Sequence, residues 1–526
     1  MTPRQRWTLT ATVIGSGAVF LDGTIVNVAL PRIGRELPAS IVGVLEGQAY
    51  VVSGYLGVLA ALLILAGALS DRYGRRRVYS IGLTGFATTS ALCGLAPSLE
   101  ALVVFRLAQG AAGALMIPGA LSIITQTFDE SERGRAFGIW TSATSALALL
   151  GPVGGGLLVD TIGWRFAFLV NVPVLAVALA ITRRHMAESR DLDARQGFDW
   201  LGSFVAAVAV GGLSFGVIRG TEHEWRDPTA WLIVAIGVAA LSAFPILMAT
   251  RPNPLVPLVL FRSRVFSAIN VATFFIWGGL YVMLSYISIV LQGSLGYNAL
   301  GAGLAVLPFP ICMITLSTRV GTIAGRLGAR RFLTFGPLLM STALVWFTRL
   351  PATSEPWRAS LDQPASLVPP IDYLVDVFPA ILVFGIGIAC VVAPLTNTLM
   401  GSIPARYSGV GSAINNAISR VGQPLLGAII FVAISATFYA SLATLAPGLD
   451  LGSEAVRAAF PPLNPPRAGA SAEQIAAATR ASIDAFHQAM FVAAGLVAIG
   501  AVVSWFGLRQ REPAPSATEP AKPATA

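Results

Sequence analysis

Gly67-Ala-Leu-Ser-Asp71-Arg72-Tyr-Gly74-Arg75-Arg76-Arg77 joins two apolar runs of helical length, 47–68 and 78–95, and it returns later in the chain. The echo is Gly321-Thr-Ile-Ala-Gly325-Arg326-Leu-Gly328-Ala-Arg330-Arg331, in which Gly67, Arg72, Gly74, Arg76 and Arg77 recur at a constant offset of 254. Gly67 lets neighbouring helices approach, and Gly74 permits a tight turn that side chains resist. Asp71 has backbone N–H groups, Arg72 or a facing helix terminus as candidate partners. The arginines, Arg76 among them, suit anionic lipid headgroups, so topology alone is an alternative reading of their run.

Outward from this loop, apolar runs fall near 9–31, 47–68, 78–95, 101–124, 136–158, 165–183, 199–219, 229–249, 268–290, 301–323, 331–350, 374–398, 409–437 and 486–508, fourteen in all. Each is near the roughly 20 residues that a membrane span takes. The first loop copy joins runs 2 and 3, and the second joins runs 10 and 11. Duplication of a six-helix half would place the echo six runs later. It lies eight later, so runs 7 and 8 read as two additional central helices. Parallel repeats of this kind mark one transporter class. The expected organisation is a six-helix bundle over 1–184, a linker with the two additional helices over 185–261, a second six-helix bundle over 262–510, and a disordered cytoplasmic tail over 511–526.

Composition agrees. Of 526 residues 55% are hydrophobic and 12% charged, with a mean hydropathy of +0.72. Soluble domains hold about 45–50% apolar and about 25% charged residues. A soluble enzyme, a disulfide-stapled secreted domain and a disordered chain are excluded. The net charge of +9 comes from 34 arginines and Lys522 in short clusters between runs, a pattern of membrane flanks and not of nucleic-acid binding. Twenty-two of these basic residues fall on the side of the N-terminus and ten on the other, which predicts both termini in the cytoplasm. The first run is too long for a signal peptide's apolar region and reads as a retained first helix. Cys93, Cys312 and Cys390 lie inside apolar runs without metal spacing and read as inert thiols. The segments 351–370 and 439–483 read as long exterior loops, the second with a short Ala-rich surface helix.

Charges inside the runs are the sharpest functional signal. A charge at a helix centre costs ~2.5–3.5 kcal/mol on insertion scales, so it faces a cavity or a partner. Asp22 is the one acid well inside a run; Arg106, Arg319 and Arg420 are the bases. Asp22 lies roughly 20 Å from the cytoplasmic end and Arg106 about 9 Å from the exterior end, at 1.5 Å per residue. Across a ~30 Å core these depths are similar. The two can pair, or compete for a proton and a substrate. A purely structural ion pair is the alternative. Arg420 reaches near the midplane, whereas Arg319 is near enough to the end to snorkel. In run 5, Gly151, Pro152, Gly155 and Gly156 break helix regularity, as a pivot or tight seal between halves or as a static kink. Asn27, Gln109, Trp277, Tyr281, Asn397, Asn415, Asn416 and Arg420 are candidates for a substrate cavity, since aromatic walls suit hydrophobic ligands and cations. An aromatic stripe serves packing equally well.

These motifs resemble those of the major facilitator superfamily, and fourteen runs with two central extras are similar to its fourteen-spanner drug:proton antiporter family. Leu21-Asp22-Gly23-Thr24-Ile25-Val26-Asn27 through Pro31 resembles that family's first-helix motif. Arg106-Leu-Ala-Gln109-Gly110 matches its Arg-x-x-Gln-Gly motif, and Gly138, Gly151, Pro152, Gly155 and Gly156 match its antiporter motif, with Leu147 replacing one glycine. Trp164-Arg165 through Asn171-Val-Pro173 resembles its sixth-helix start. The resemblance implies an all-α membrane protein of the major facilitator fold, with two six-helix bundles and fourteen transmembrane helices. It implies proton-coupled export of small, largely hydrophobic or cationic compounds (multidrug efflux and antibiotic resistance). Asp22 and Arg106 would couple the proton, and Gly67, Asp71, Arg72, Gly74 and Arg76 would form the cytoplasmic gate. Gly325 stands in the echo where Asp71 stands, so the expected polar latch is asymmetric. A dedicated exporter of one metabolite or self-made antibiotic is the nearest alternative. A non-transporting sensor or scaffold is the alternative of another class. No Gly-x-x-x-x-Gly-Lys-Ser/Thr loop occurs, so the energy source is expected to be the proton gradient, without cofactor, metal or enzymatic activity. The expected partners are a small-molecule substrate, protons and the lipid bilayer, and the chain is expected as a monomer in the inner (cytoplasmic) membrane.

Overall fold

A computed structural model describes residues 1–189, 199–223, 225–403, 408–467 and 469–508. The tail expected over 511–526 and most of the polar stretch before run 7 lie outside the described residues. Regular structure among those described is helical.

The first half holds α1 (Pro3–Glu36), α2 (Val44–Tyr73), α3 (Arg75–Gly94), α4 (Leu99–Thr127), α5 (Glu130–Thr161), α6 (Arg165–Leu169) and α7 (Asn171–His185). Next come α8 (Trp200–Glu222) and α9 (Pro228–Thr250). The second half holds α10 (Arg264–Gly293), α11 (Ala299–Ala305), α12 (Pro308–Leu327), α13 (Ala329–Trp346), α14 (Phe378–Gly401), α15 (Ser408–Leu445), α16 (Glu454–Ala459) and α17 (Ala472–Gly507). Local sequence explains the boundaries. Thr2 and Gln5 form a capping box at α1, and Ser471 and Gln474 form one at α17. Gly74 takes φ +105° and ends α2 while starting α3; its echo Gly328 does the same at φ +89° between α12 and α13. Only glycine adopts that backbone without strain.

Among the described residues, eleven helical stretches are long and apolar enough to cross a membrane. Three more long helices, α3, α5 and α13 with 20, 32 and 18 residues, stand at runs 3, 5 and 11. The exterior-loop expectation over 439–483 changes most. The Ala-rich stretch carries no breaker after Ser471, so it continues unbroken into the last helix, α17.

The packing repeats. In the first half α1 packs on α5 and α7, α4 on α2 and α3, and α3 on α7. In the second half α10 packs on α15 and α17, α14 on α12 and α13, and α13 on α17. The halves meet along two equivalent seams, α2 with α15 and α5 with α11. The additional pair is added at one of them: α8 lies against both α2 and α15, and α9 packs on α8. Apolar side chains of α9 such as Leu232, Ile236 and Ile246 face outward, as a lipid-facing helix requires.

Candidate functional site

A closed polar network sits inside the first half. Asp22 on α1 is fully buried, and Arg106 on α4 is 1% exposed. Arg106 Nη1 donates to Asp22 Oδ2 at 2.5 Å and lies 2.7 Å from Gln109 Oε1, one helical turn away on the same face. Arg106 Nε donates to the Val51 carbonyl at 3.2 Å, and the guanidinium lies over the Tyr55 ring at 4.0 Å. The second carboxylate oxygen, Asp22 Oδ1, accepts from Gln109 Nε2 at 3.1 Å and Asn171 Nδ2 at 3.3 Å. Ser90 on α3 accepts from both amides at 3.2 and 3.0 Å and donates to the Phe168 carbonyl at 2.9 Å. Val170 between α6 and α7 keeps helical dihedrals, and Asn171, the first residue of α7, is buried in this network.

Two buried charges cost several kcal/mol each to desolvate, so such a pair persists only with its remaining donors and acceptors satisfied. Here the carboxylate has three donors from two helices. Removing its charge by protonation would weaken all three at once and free the guanidinium. Sequence reading singled out Asp22, Arg106 and Gln109 but assigned no role to Ser90, Asn171 or Tyr55. Their signal was polarity inside apolar runs at the depth of Asp22.

The remaining candidates divide by place. Gly151 and Gly155 face α1, where a Cβ at Gly155 would come 2.6 Å from Ile25 and one at Gly151 would meet Thr24. Gly156 faces the other half, where a Cβ would lie 2.7 Å from Leu300 Cα. Gly303 on α11 returns the contact, where a Cβ would lie 2.8 Å from the Pro152 carbonyl carbon. Leu147, the residue that replaces a motif glycine, rests where a Cβ of Gly17 would be. In the gate loop the Asp71 side chain lies outside the described residues. Arg72 lies over the Tyr73 ring at 5.8 Å, Arg76 Nη1 donates to the Met186 carbonyl at 3.1 Å, and Gly67 leaves room for a Cβ, 3.6 Å from Pro118. Glu188 accepts from the Arg76 and Arg77 backbone N–H groups at 3.0 and 3.1 Å, a charge at the N-terminus of α3.

Between the halves, Arg420 is buried over the Phe20 ring at 5.5 Å, and its Nε has no hydrogen-bond partner among the described residues. Trp277 and Tyr281 stack loosely at 6.2 Å on α10. Asn415 ties α15 to α10 through Asn270 and Thr273 at 3.1 and 2.9 Å, Asn416 donates to its own helix at Ser412, and Asn397 is exposed on α14.

The inter-half hydrogen bonds gather at the end away from the chain termini. Gln48 Nε2 donates to Asn464 Oδ1 and Asn464 Nδ2 donates to Gln48 Oε1, both at 3.0 Å. Ser285 donates to Asn27 Oδ1 at 3.0 Å, and Gln292 to the Val28 carbonyl at 3.0 Å. Asp160 caps α11 by accepting from the Ala299 and Leu300 N–H groups at 3.2 and 2.7 Å. Beneath lies a cavity of about 20 Å³ lined by Gln48, Ser53, Ser285 and Gln423, room for about one water molecule. Above lies a mouth of about 480 Å³ bearing Arg32, Arg35, Glu36, Asp160 and Arg358.

Comparison with known proteins adds a family. The model described as Major Facilitator Superfamily matches residues 12–427. The chain is 32% identical to the multidrug resistance protein Stp of Mycobacterium tuberculosis, over 96% of this chain and 92% of that protein. It is 33% identical to the tetracenomycin C resistance and export protein of Streptomyces glaucescens, over 81% of this chain and 75% of that protein. In fold it is similar to an inward-facing bacterial homologue of the lysosomal transporter Spinster, with TM-score 0.63 and 18% identity, over 96% of this chain and 97% of that one.

Proposed function

The chain belongs to the major facilitator superfamily, and from that premise we propose that it is a proton-coupled antiporter exporting small, largely hydrophobic compounds across the cytoplasmic membrane. In this reading fourteen helices span the bilayer, both termini face the cytoplasm, and the end sealed by Gln48, Asn464 and Asp160 faces outward. The observation that carries the reading is the buried pair Asp22–Arg106, 2.5 Å apart with no exposed surface on the carboxylate. An acid in such a place has a task that a neutral residue would serve more cheaply if it were only structural.

The cycle follows from its geometry. Ionised Asp22 holds Arg106, Gln109 and Asn171, and so fixes α1 to α4 and α7. A proton on Asp22 removes the charge that gathers these donors, and α1 is then free to shift against α4. Because α1 also carries Phe20 and Asn27, which face the second half, such a shift reaches the cavity between the halves. A proton moving inward supplies ~1.4 kcal/mol per pH unit and ~2.3 kcal/mol per 100 mV, enough for roughly a tenfold or greater gradient of cargo per proton.

Arg420 favours a narrower second reading. A buried guanidinium nitrogen between the halves, without a hydrogen-bond partner among the described residues, suits a cargo that brings an acidic or strongly accepting group. The relative named for export of tetracenomycin C is compatible with a dedicated exporter of one such compound. A compound screen in proteoliposomes with an imposed pH gradient tests both. Uptake into inside-acidic vesicles, abolished by a protonophore, supports antiport. Transport indifferent to the gradient contradicts it. A spread of unrelated compounds supports multidrug efflux, and a single acidic one the dedicated exporter.

A further inference from the structure

Glu46 is a second fully buried acid, and the cycle above makes no use of it. It lies in the first turn of α2, where Glu46 Oε2 accepts from the Gly43 backbone N–H at 2.9 Å. Glu46 Oε1 lies 2.9 Å from the Tyr50 hydroxyl, one turn further along. The same hydroxyl lies 2.7 Å from the Phe215 carbonyl of α8. The rings of Tyr50 and Phe215 meet at 4.4 Å.

A count of protons decides what these contacts are. A tyrosine hydroxyl carries one proton, and a backbone carbonyl only accepts. The two contacts compete for that proton, and the shorter one, 2.7 Å to Phe215, is assigned it. The contact with Glu46 then joins two oxygens, and it is a hydrogen bond only if Glu46 supplies the hydrogen. A carboxylic acid meets every requirement: one oxygen accepts from Gly43 and the other donates to Tyr50. We propose that Glu46 is a second proton-binding site, and that its proton leaves Tyr50 free to hold α8 against α2. On deprotonation the proton passes to the exterior solution. Tyr50 then donates to the carboxylate, and the Phe215 carbonyl loses its donor.

Two charged groups at the end of α8, Arg219 and His223, face this site and favour a charged Glu46, and each also has an acidic partner of its own. Arg219 of α8 donates to Asp227 at 2.6 Å, and His223 at the end of α8 lies 3.5 Å from Glu454 of α16. Hydrogen bonds from Thr229, and then Arg219, hold the Asp227 carboxyl down at about 2. That pair therefore stays intact over the range in which a buried acid titrates. Among the described residues His223 is the other group here that changes charge near neutrality, so it needs its own control. Because α8 contacts both α2 and α15, the proton on Glu46 decides whether the additional helix pair travels with the first half. Nothing in this depends on Asp22 carrying the coupling proton.

The test is infrared difference spectroscopy on the full-length protein in lipid at neutral pH. One carboxylic-acid C=O band is expected to disappear in Glu46→Gln and to shift in Tyr50→Phe. A band unchanged in both variants overturns the proposal, and if Glu46→Gln does not fold, Tyr50→Phe decides alone. Spin labels at exposed Ile41 and Leu232 read the latch. Their separation is expected to grow as pH rises in the unmodified protein and in His223→Gln, and to stay fixed in Glu46→Gln. A pH response that persists in Glu46→Gln, or vanishes in His223→Gln, assigns the switch to another group and overturns the proposal.

Discussion

Gln48 and Asn464 exchange two buried amide hydrogen bonds, each 3.0 Å long, across the seam between the halves. Asn464 follows Leu463, a fully buried residue held at φ +62°, and Gln48 also donates to the Leu30 carbonyl at 2.9 Å. A side chain at positive φ costs of order 1–3 kcal/mol and persists only where its surroundings insist on it. The loop between α16 and α17 is thus a stopper in this end of the seam, and the proposed alternating access requires it to leave.

Asn464→Ala removes the stopper's polar hold and orphans one buried amide, at a cost of about 1–3 kcal/mol to the sealed state. The population open to the exterior is expected to rise by roughly five- to 150-fold. Labelling of Ala49→Cys by a membrane-impermeant thiol reagent checks this. Faster labelling in the Asn464→Ala background is expected, and equal rates contradict the gate.

Gly17 and Leu147 form a complementary pair between α1 and α5, since Leu147 occupies the place a Cβ at Gly17 would need. Gly17→Ala is expected to destabilise by about 1–3 kcal/mol through overpacking. Shortening its neighbour in the Gly17→Ala/Leu147→Ala double variant should recover part of that loss. Thermal unfolding in detergent through a double-mutant cycle measures it. Additive losses would refute the pairing.

Gly156→Ala places a methyl group 2.7 Å from Leu300 Cα at the α5–α11 seam. The halves are then expected not to close on the exterior side, with export reduced by an order of magnitude or more and expression unchanged. Gly154, where a Cβ meets nothing within 4 Å, is the matched control: Gly154→Ala is expected to transport normally. Equal activity of the two variants removes the seam from the mechanism.

Arg420→Gln should weaken binding of an acidic cargo by about 1.5–3 kcal/mol, roughly tenfold or more, and leave a neutral cargo within a few-fold. Binding titrations with one compound of each class check it. Equal losses for both would assign Arg420 to packing.

Much of this was legible because it depends on local chemistry. The glycine turn at Gly74 and its echo at Gly328 are backbone requirements that one residue type meets, so both the repeat and the two additional helices follow from sequence. Asp22 and Arg106 meet because helix rise converts residue position into depth, and equal depth is a strong constraint in a bilayer. Burial by distant segments was not legible. Glu46 stands in the first turn of a helix, where an acid serves the N-terminus in any protein; the contact of its neighbour Tyr50 with α8, more than 160 residues away, is what the sequence does not show. The Pro-rich stretch around Leu463 reads as loop and is one, yet it folds into the seam, where Leu463 is buried and Asn464 matches Gln48. The expected surface helix merged into α17 since alanine favours helix and nothing between Ala472 and Gly507 interrupts it.

The account stands on Asp22 as the residue that takes up and gives back the proton. Asp22→Asn keeps the volume and mimics the protonated acid permanently. The most direct measurement is proton release in weakly buffered detergent on addition of the best exported compound from the vesicle screen, comparing unmodified protein with Asp22→Asn at matched, folded amounts. The account predicts release from the unmodified protein and none from Asp22→Asn, with binding of a neutral compound retained; equal release from the two would contradict it.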